Sequence, residues 1–462
     1  MAKLRVMSYL DVGAPQYSAD QRDAILQLMK MLNQTGYNTK FPTTLVVDSN
    51  TKTLHLSFSV GHGFTEGHLL DITGTTSNAF QSDSYRVITV PSATSLVCKI
   101  DNYATVTYPA SDTSTQINVK HKTLGWDVIF SSTTQYSIRS KLSTSSKNIL
   151  TLKEPTLARL KFGVSAYSAP ACVAVHVSEN VDGSTGEILN SYIKGHDYLN
   201  VESFYWASYN YSWPSANYTP SAGAISNGDH FLPWWLVGDD KIFYLIVGSY
   251  HTNSSMNSRN ASRAVSATTT RQCYMFGDPD FLGDPSFIDK GGCMFSSLYK
   301  PGGQNVNTPT GDDAPAVFTE LFRTDFASTA MQYGTYFVRP LDMTGNSVIP
   351  VSYSTIDFPS SSTLYNFATS TFLMQYPHVT TRGLLFFPYY TRVHTAGVNT
   401  FGYYRSSLPY ARMCPINITN ISQNWVGFDN VIIKADNGKQ ILSILRYGSN
   451  NSILGSFLYE LD

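Results

Sequence analysis

One segment near the start of the chain predicts an α-helix, and almost nothing after it does. Ser18 and Gln21 have the spacing of a capping box, in which two side chains satisfy free backbone amides at a helix start. The apolar residues that follow recur at the spacing that puts them on one helix face: Ile25, Leu28, Met29 and Leu32. Gly36 favours the left-handed turn that ends helices. A single amphipathic helix before a long β-rich chain predicts a docking element, so we expect this face to contact a partner domain or a neighbouring subunit.

The rest of the chain alternates apolar and polar residues with the period of β-strands. Leu54, Leu56 and Phe58 alternate with polar neighbours, and similar short segments recur between turn residues. The clearest hairpin joins residues 231–237 to residues 242–249. Closely spaced short strands are typical of antiparallel sandwiches and barrels. The predicted fold is therefore mainly β, with several antiparallel β-sandwich or barrel modules and one N-terminal amphipathic helix.

The length of 462 residues exceeds the size at which a single core usually stops growing, so several domains are expected. Residues 140–147 are polar and low in complexity, which suits a hinge or the tip of a long hairpin, and residues 301–314 have the composition of a linker. The predicted division is a strand-helix docking element at 1–57, a small β module at 58–140, an aromatic-rich β domain at 141–310 and a C-terminal β domain at 311–462.

The composition excludes several classes of protein. Charged residues make up only 14% of the chain, against roughly 25% in ordinary soluble proteins, whereas tyrosine and phenylalanine number 30 and 25. The net charge of −1 and the lack of a basic run argue against nucleic-acid binding, and Lys120-His121-Lys122 is interpreted as a strand end with solvated charges. Without a signal peptide or a long apolar run, we expect no membrane segment and synthesis in a reducing cytoplasm. The five cysteines lack metal-like spacing and are expected to be buried free thiols.

Two clusters contain residues that can bind metal ions. His62, Glu66 and His68 lie within seven residues, but the glycines among them predict a solvated loop, which is favoured over a metal site. An acidic cluster does not match the spacing of a calcium loop, and loop capping is favoured for its members: Asp278, Asp280, Asp284 and Asp289. We therefore predict neither a metal nor a cofactor. No nucleophile motif or phosphate-binding loop is present, so the chain is predicted not to be an enzyme.

Two dense aromatic segments, residues 204–218 and 386–405, are candidates for contact surfaces. Aromatic rings can stack on sugars, but burial in a core or a subunit interface is favoured, because Tyr and Trp bury large areas and keep a polar tip for a hydrogen bond. Arginines in the second segment are interface candidates as well. The predicted interface residues outside the helix are Trp206, Trp213, Arg392 and Arg405.

Several short sequence segments, which we call blocks, are informative because of the order in which they occur along the chain. The first blocks are Asp11-Val12-Gly13-Ala14-Pro15-Gln16 and, after the helix, Gly36-Tyr37-Asn38-Thr39-Lys40. Residues 59–102 then carry Gly61-His62-Gly63, Gly67, Asp71-Ile72-Thr73-Gly74 and Tyr85-Arg86-Val87-Ile88-Thr89-Val90. The later blocks are Leu124-Gly125-Trp126, Pro233-Trp234-Trp235-Leu236-Val237, Phe276-Gly277-Asp278 and residues 457–462. In this order they resemble a family of structural proteins of tailed-bacteriophage particles, and residues 59–102 are similar to a small β module of phage tail and virion proteins. The chain departs from that module at Phe80-Gln81-Ser82-Asp83-Ser84, where an Asn-Gly turn is usual.

The resemblance implies a virion component that is made in the host cytoplasm and assembles with copies of itself and with other virion proteins. Tail, baseplate or neck is the favoured position, and a decoration layer on the capsid exterior is the structural alternative. A second hypothesis is a receptor-binding protein that contacts host surface glycans through residues 204–218 or 253–270. A third, a polysaccharide-cleaving enzyme, would require paired carboxylates in a groove and is disfavoured because no β-helix periodicity is present.

Overall fold

The computed structural model describes a chain of two compact units. The described residues are 3–17, 23–81, 83–154, 172–193, 203–207, 232–249, 270–281, 292–300, 332–338, 348–354, 387–394, 401–413, 430–434, 439–447 and 453–461. The first unit comprises Met1–Gln16, Leu28–Trp126 and Trp234–Asp240, and the second comprises Tyr17–Gln27, Asp127–Pro233 and Lys241–Asp462. The predicted capping box and the predicted linker at 301–314 lie outside the described residues.

The described secondary structure is almost entirely β. The strands in chain order are β1 (Arg5–Ser8), β2 (Pro42–Asp48), β3 (Thr53–Phe58), β4 (Leu69–Thr73), β5 (Tyr85–Ser92), β6 (Ser95–Lys99), β7 (Ser111–Asp112), β8 (Asn118–His121), β9 (Asp127–Ser131), β10 (Gln135–Arg139), β11 (Ile149–Lys153), β12 (Cys172–Val181), β13 (Ile188–Ile193), β14 (Ser203–Ala207), β15 (Trp234–Gly238), β16 (Ile242–Ser249), β17 (Thr270–Gly277), β18 (Asp280–Phe281), β19 (Cys293–Lys300), β20 (Gln332–Val338), β21 (Val348–Ser354), β22 (Phe387–His394), β23 (Phe401–Met413), β24 (Val431–Lys434), β25 (Gln440–Tyr447) and β26 (Ile453–Glu460). The prediction of a mainly β, antiparallel fold with one short N-terminal helix is confirmed.

The predicted helix forms as α1 (Ala24–Lys30) and continues as a π-helical turn over Met31–Thr35. A 3₁₀ turn at Asn78–Gln81 is the other described helical segment. Gly36 ends the π-helical turn with φ +68° and donates its N–H to the Met31 carbonyl at 2.8 Å, which confirms the predicted stop. None of the helices in the described part of the chain is both long and apolar enough to span a bilayer.

The first unit is built on a seven-stranded antiparallel sheet with the order β7-β2-β3-β6-β5-β4-β8. Residues Leu54, Leu56 and Phe58 of β3 are buried while their neighbours His55 and Ser57 are exposed, as the period-two pattern predicts. The predicted boundary between residues 57 and 58 falls inside β3, which pairs with β6, and as a domain boundary it stays a prediction. Periodicity identifies a strand but not its partner. The other predicted domain boundaries stay predictions.

A second element of the first unit is a two-stranded antiparallel pairing between distant parts of the sequence. Here β1 pairs with β15, with Arg5 opposite Gly238 and Ser8 opposite Trp235. The Trp234 indole donates to the Pro15 carbonyl at 2.9 Å, and the Trp126 indole donates to the Asp239 carbonyl at 2.8 Å. Two of the sequence blocks that carry the resemblance are therefore anchored to parts of the chain more than 100 residues away.

The second unit consists of antiparallel strands that mostly pair with their sequence neighbours, as in β9-β10-β11-β12 and β19-β20-β21-β22-β23. Its described core includes Trp206, Phe243 and Tyr274, all fully buried. Cys273 and Cys293 are buried free thiols here, and Cys98 is one in the first unit, as predicted for these three.

Candidate functional site

The three residues that the sequence groups as possible metal ligands do not converge. His62 is buried, its Nδ1 accepts a hydrogen bond from the Phe64 amide at 3.0 Å, and its Nε2 lies 3.1 Å from the Ser92 carbonyl. Both ring nitrogens of His62 are thus occupied within the protein, while Glu66 is exposed. The prediction of a solvated loop was wrong for His62 and His68, because both imidazoles are buried in the first unit.

A different set of polar side chains meets in the first unit, and we call it the Asp11 cluster: Asp11, Tyr37, His68 and His121. Asp11 ends a turn after β1, in which its amide donates to the Ser8 carbonyl at 3.1 Å. Tyr37 follows Gly36, and His68 comes directly before β4. His121 ends β8 and is placed opposite Leu70 by the antiparallel pairing of β4 and β8. Four separate elements of the first unit therefore position these side chains.

Asp11 is the acceptor at the centre of the cluster, and its side chain is 7% exposed. Its Oδ2 accepts from the Ser8 amide at 2.8 Å and from the Tyr37 hydroxyl at 2.5 Å. Its Oδ1 accepts from Ser8 Oγ at 3.0 Å and lies 3.2 Å from His68 Nε2. Burial raises the pKa of Asp11, but hydrogen bonds from His68 and Tyr37 and the two nearby imidazoles outweigh it and lower the pKa to about 2. The carboxylate is therefore ionised at neutral pH.

The tautomer of His68 follows from its neighbours. The Thr65 amide donates to Nδ1 at 3.0 Å, so Nδ1 is unprotonated and Nε2 carries the hydrogen. Nε2 then donates toward Asp11 Oδ1 and lies 3.1 Å from the Thr65 hydroxyl. Tyr37 remains a neutral donor, because burial and the adjacent Asp11 charge raise the pKa of its phenol.

The imidazole of His121 lies against this group without a hydrogen bond of its own. Its side chain is 0% exposed, and neither ring nitrogen has a hydrogen-bond partner among the described residues. Its ring centroid lies 4.4 Å from that of His68, 4.5 Å from that of Tyr37 and 5.2 Å from that of Phe64. Burial lowers the pKa of His121 to about 3, with a further contribution from His68, so the ring is neutral. The interpretation of residues 120–122 as solvated charges was wrong for His121.

The geometry restricts the chemistry of the cluster. In a hydrolase triad the carboxylate and the nucleophile contact opposite nitrogens of the imidazole. Here Asp11 and the Thr65 hydroxyl both lie next to Nε2 of His68, and a backbone amide occupies Nδ1, so no proton relay to Thr65 is formed. What the cluster does provide is one metal-binding atom each from Asp11, His68 and His121, all within 4.8 Å of one another.

The sequence offered little that could have identified this cluster. Asp11, His68 and His121 are 53 or more residues apart, and Tyr37 lies 26 residues after Asp11 and 31 before His68. Asp11 and Tyr37 lie in the resemblance blocks, but nothing in the pattern indicates that their side chains share a hydrogen bond. The cluster depends on strand register, which periodicity does not supply.

The predicted interface residues of the helix are buried inside this chain. Ile25, Met29 and Leu32 are 0% exposed and Leu28 is 3% exposed, so they offer no free surface to a neighbouring subunit. The predicted contact was with a partner domain or a neighbouring subunit, and it stays a prediction. An apolar helix face can be buried against any apolar surface. The amphipathic pattern does not show whether that surface belongs to the same chain or to another subunit.

The predicted interface residues of the aromatic segments are distributed differently. Trp206 is a core residue of the second unit: it is fully buried, donates from its indole to the Ser296 carbonyl at 2.8 Å and stacks on Tyr274. Burial in a core was one of the two alternatives predicted for this segment, and a role of Trp206 at an interface stays a prediction. Trp213 lies outside the described residues. Arg392 lies on β22 opposite Tyr404, and Arg405 lies on β23. Their role at an interface stays a prediction.

The acidic cluster is only partly described. Asp278 accepts a hydrogen bond from the Ser146 amide at 2.8 Å, which is the capping role expected of such a carboxylate. Asp280 is exposed on β18, and Asp284 and Asp289 lie outside the described residues. Asp278 therefore joins this segment to residue Ser146, 132 positions earlier in the chain, and loop capping by Asp280 stays a prediction.

Comparisons with known proteins give a weak structural similarity to a solved structure. No protein-family model matches this chain, and no curated protein matches it. Among solved structures the chain is similar to an endosialidase of phage phi92, with 10% identity, a TM-score of 0.17, and coverage of 91% of this chain and 70% of that chain. A TM-score this low transfers no fold and no residue role. By its title the matched structure is a phage protein. The prediction that this chain is not an enzyme was wrong as an exclusion, because the matched structure is an enzyme by its title, and we withdraw it.

Proposed function

We propose that this chain is a building block of a tailed-phage particle, located in the tail, baseplate or neck. The observation that carries the proposal is where the resemblance blocks lie in the first unit. The Asn38 side chain donates to the His62 carbonyl at 3.0 Å, and a Cβ at Gly63 would lie 2.7 Å from the Val12 side chain. Blocks that are scattered in the sequence thus pack on one another, which supports a resemblance carried by a folded module.

Assembly requires exposed contact surface, and the first unit has a candidate. Four of its large apolar side chains are at least half exposed: Leu10, Val12, Phe41 and Val60. Because Pro42 pairs with Phe58, Phe41 and Val60 lie at the same end of the β2–β3 ribbon. Val12 packs against Gly63, three residues after Val60. We call Val12, Phe41 and Val60 the end patch. Isolated exposed apolar residues are normal, but a group at one end of a unit favours a protein contact.

The test is the position of the chain in intact particles. Gold-labelled antibody against the purified chain, viewed by electron microscopy, is expected to mark the tail, baseplate or neck. Label over the capsid exterior would support the decoration alternative, and absence of label from particles that are shown to be permeable to the antibody would contradict the proposal.

The end patch has its own matched test. Phe41→Asp combined with Val60→Asp should leave the purified chain folded, because both side chains are 64% exposed, and should prevent its incorporation into particles. Val46→Asp is the control, because Val46 is 44% exposed but lies four residues farther along β2 than Pro42. Incorporation of the double variant at the level of the control would contradict the role of the patch.

A receptor-binding role is the second candidate, and it rests on composition and on the resemblance. Trp206 is buried, so this residue is not available to stack on a sugar. Binding of host surface glycan by the purified chain in a glycan array, together with label confined to distal fibres, would make host recognition the leading function.

A further inference from the structure

The Asp11 cluster has the donor set and the spacing of a metal site. We propose that Asp11 Oδ1, His68 Nε2 and a ring nitrogen of His121 bind one divalent transition-metal ion, with Zn²⁺ as the best fit. Two imidazoles and one carboxylate form a common three-residue set for zinc, which leaves a fourth position for water or another ligand. Ca²⁺ and Mg²⁺ prefer sites made of oxygen ligands and fit this set poorly.

The distances support the assignment. Zinc binds nitrogen and oxygen donors at roughly 2.0–2.2 Å, so neighbouring donors in a tetrahedral site lie roughly 3.3–3.5 Å apart. Asp11 Oδ1 and His68 Nε2 are 3.2 Å apart, which already matches one edge of such a site. The three donor atoms all lie within 4.8 Å of one another, so the His121 nitrogen is close enough to share an ion with the other two donors.

His121 supplies the independent observation that points to a ligand. It is fully buried, and its two ring nitrogens have no hydrogen-bond partner in the described part of the chain. Leaving a buried polar group unpaired is destabilising and is seldom tolerated without a function or a bound partner.

Binding would replace a hydrogen bond rather than break the cluster. The metal takes the place of the proton between His68 Nε2 and Asp11 Oδ1, and that proton moves to Nδ1 of the same ring. The Thr65 amide, which now donates to Nδ1, must then turn to solvent, and Thr65 lies in an exposed part of its loop. Asp11 Oδ2 keeps its bonds from the Ser8 amide and Tyr37, which hold the carboxylate in place as the outer partners of metal ligands usually do.

The experiment uses the full chain freed of metal with a chelator and then dialysed against Zn²⁺ or Co²⁺. We expect one zinc per chain by elemental analysis, and a visible absorption spectrum typical of tetrahedral cobalt. The variant His121→Phe keeps an aromatic ring beside Tyr37 and Phe64 but removes a donor, so its zinc affinity should fall by at least about 100-fold, since even outer partners contribute 10–100-fold. The control is His55→Phe, which makes the same change at an exposed histidine on β3.

The wild-type chain provides a second measurement in case the His121 variant does not fold. Nuclear magnetic resonance of the histidine rings should show that zinc shifts the signals of His68 and His121 and leaves those of His55 and His62 in place. Zinc that is not retained by the wild-type chain, equal affinity of the two variants, or shifts that miss His121 would overturn the assignment.

Discussion

Replacing Asp11 by asparagine should destabilise the protein by roughly 2–4 kcal/mol, and this can be worked out from the contacts of one side chain. The carboxylate receives four hydrogen bonds, two at each oxygen. An asparagine has one oxygen and one NH₂ group. If the NH₂ group replaces Oδ2 it meets the Ser8 amide, and if it replaces Oδ1 it meets the Nε2 hydrogen of His68. Either orientation sets a donor against a donor.

Two routes give this magnitude. Hydrogen bonds to a charged group contribute about 1.5–3 kcal/mol each, and the variant loses at least one of them together with the charge. Independently, the pKa of Asp11 is lowered from its ordinary value of 3.8 to about 2, because His68 and Tyr37 outweigh the effect of burial, and such a shift corresponds to about 2 kcal/mol in favour of the ionised folded state.

The assay is urea unfolding of the purified, metal-free chain, followed by circular dichroism. Asp48→Asn is the matched control: Asp48 accepts from the Asn50 amide at 2.8 Å in an exposed turn, and the asparagine oxygen can replace that bond. Its expected loss is within about 0.5 kcal/mol, which is typical of surface substitutions. Equal unfolding midpoints for Asp11→Asn and the control would refute the reasoning.

The same variant has a predictable pH dependence. Because the pKa of Asp11 is lower in the folded state, folding releases a proton, and the stabilisation is complete above pH 3.8 and is lost as the pH falls toward about 2. The difference between wild type and Asp11→Asn should therefore shrink over this range. A difference that stays constant down to pH 2 would show that the charge of Asp11 contributes nothing.

Three further outcomes are expected. The pKa of His121 has an ordinary value of 6.5, and burial lowers it to about 3 in the folded chain. Because the unfolded state therefore binds a proton at a higher pH than the folded state, the wild-type chain should lose stability as the pH falls from 6.5 to 3. The variant His121→Phe, measured by thermal unfolding in metal-free buffer, should show a flatter dependence of stability on pH. Asn33→Ala removes two hydrogen bonds to the backbone of Trp126, at 2.8 and 3.1 Å, and should cost about 2–4 kcal/mol in urea unfolding; an unchanged midpoint would contradict it. Gly74→Ala should cost more than about 1–2 kcal/mol, because φ is +74° and a Cβ would lie 2.0 Å from a backbone oxygen, while Gly61→Ala, with no atom nearer than 3.9 Å, should be nearly neutral in the same assay.

Local patterns predicted the elements of this chain better than their partners. The alternation of Leu54, Leu56 and Phe58 correctly placed these side chains on the buried face of β3, and Gly36 ended the helical segment as expected. The same reasoning placed a predicted domain boundary inside β3, and it left open whether the helix face contacts a partner domain or a neighbouring subunit. Both points concern which surface covers an apolar face, and hydrophobic periodicity carries no information about that surface.

The candidate site shows where sequence reasoning stops. The sequence groups His62 with His68 because they are close in the chain. In the fold, the ring of His62 contacts backbone groups, whereas the ring of His68 lies next to Asp11 and His121. No spacing rule connects residues 11, 68 and 121.

The sequence by itself determined the β class, the helix and its end, and the burial of alternate residues, because these follow from steric and hydrophobic preferences of residues a few positions apart. The proximity of the side chains in the Asp11 cluster, in contrast, follows only from the tertiary fold. The turn after β1 and the register of β4 against β8 bring its carboxylate and imidazoles within reach of one another. Burial then influences which of these groups are charged, because an unpaired charge costs more free energy where the fold excludes solvent.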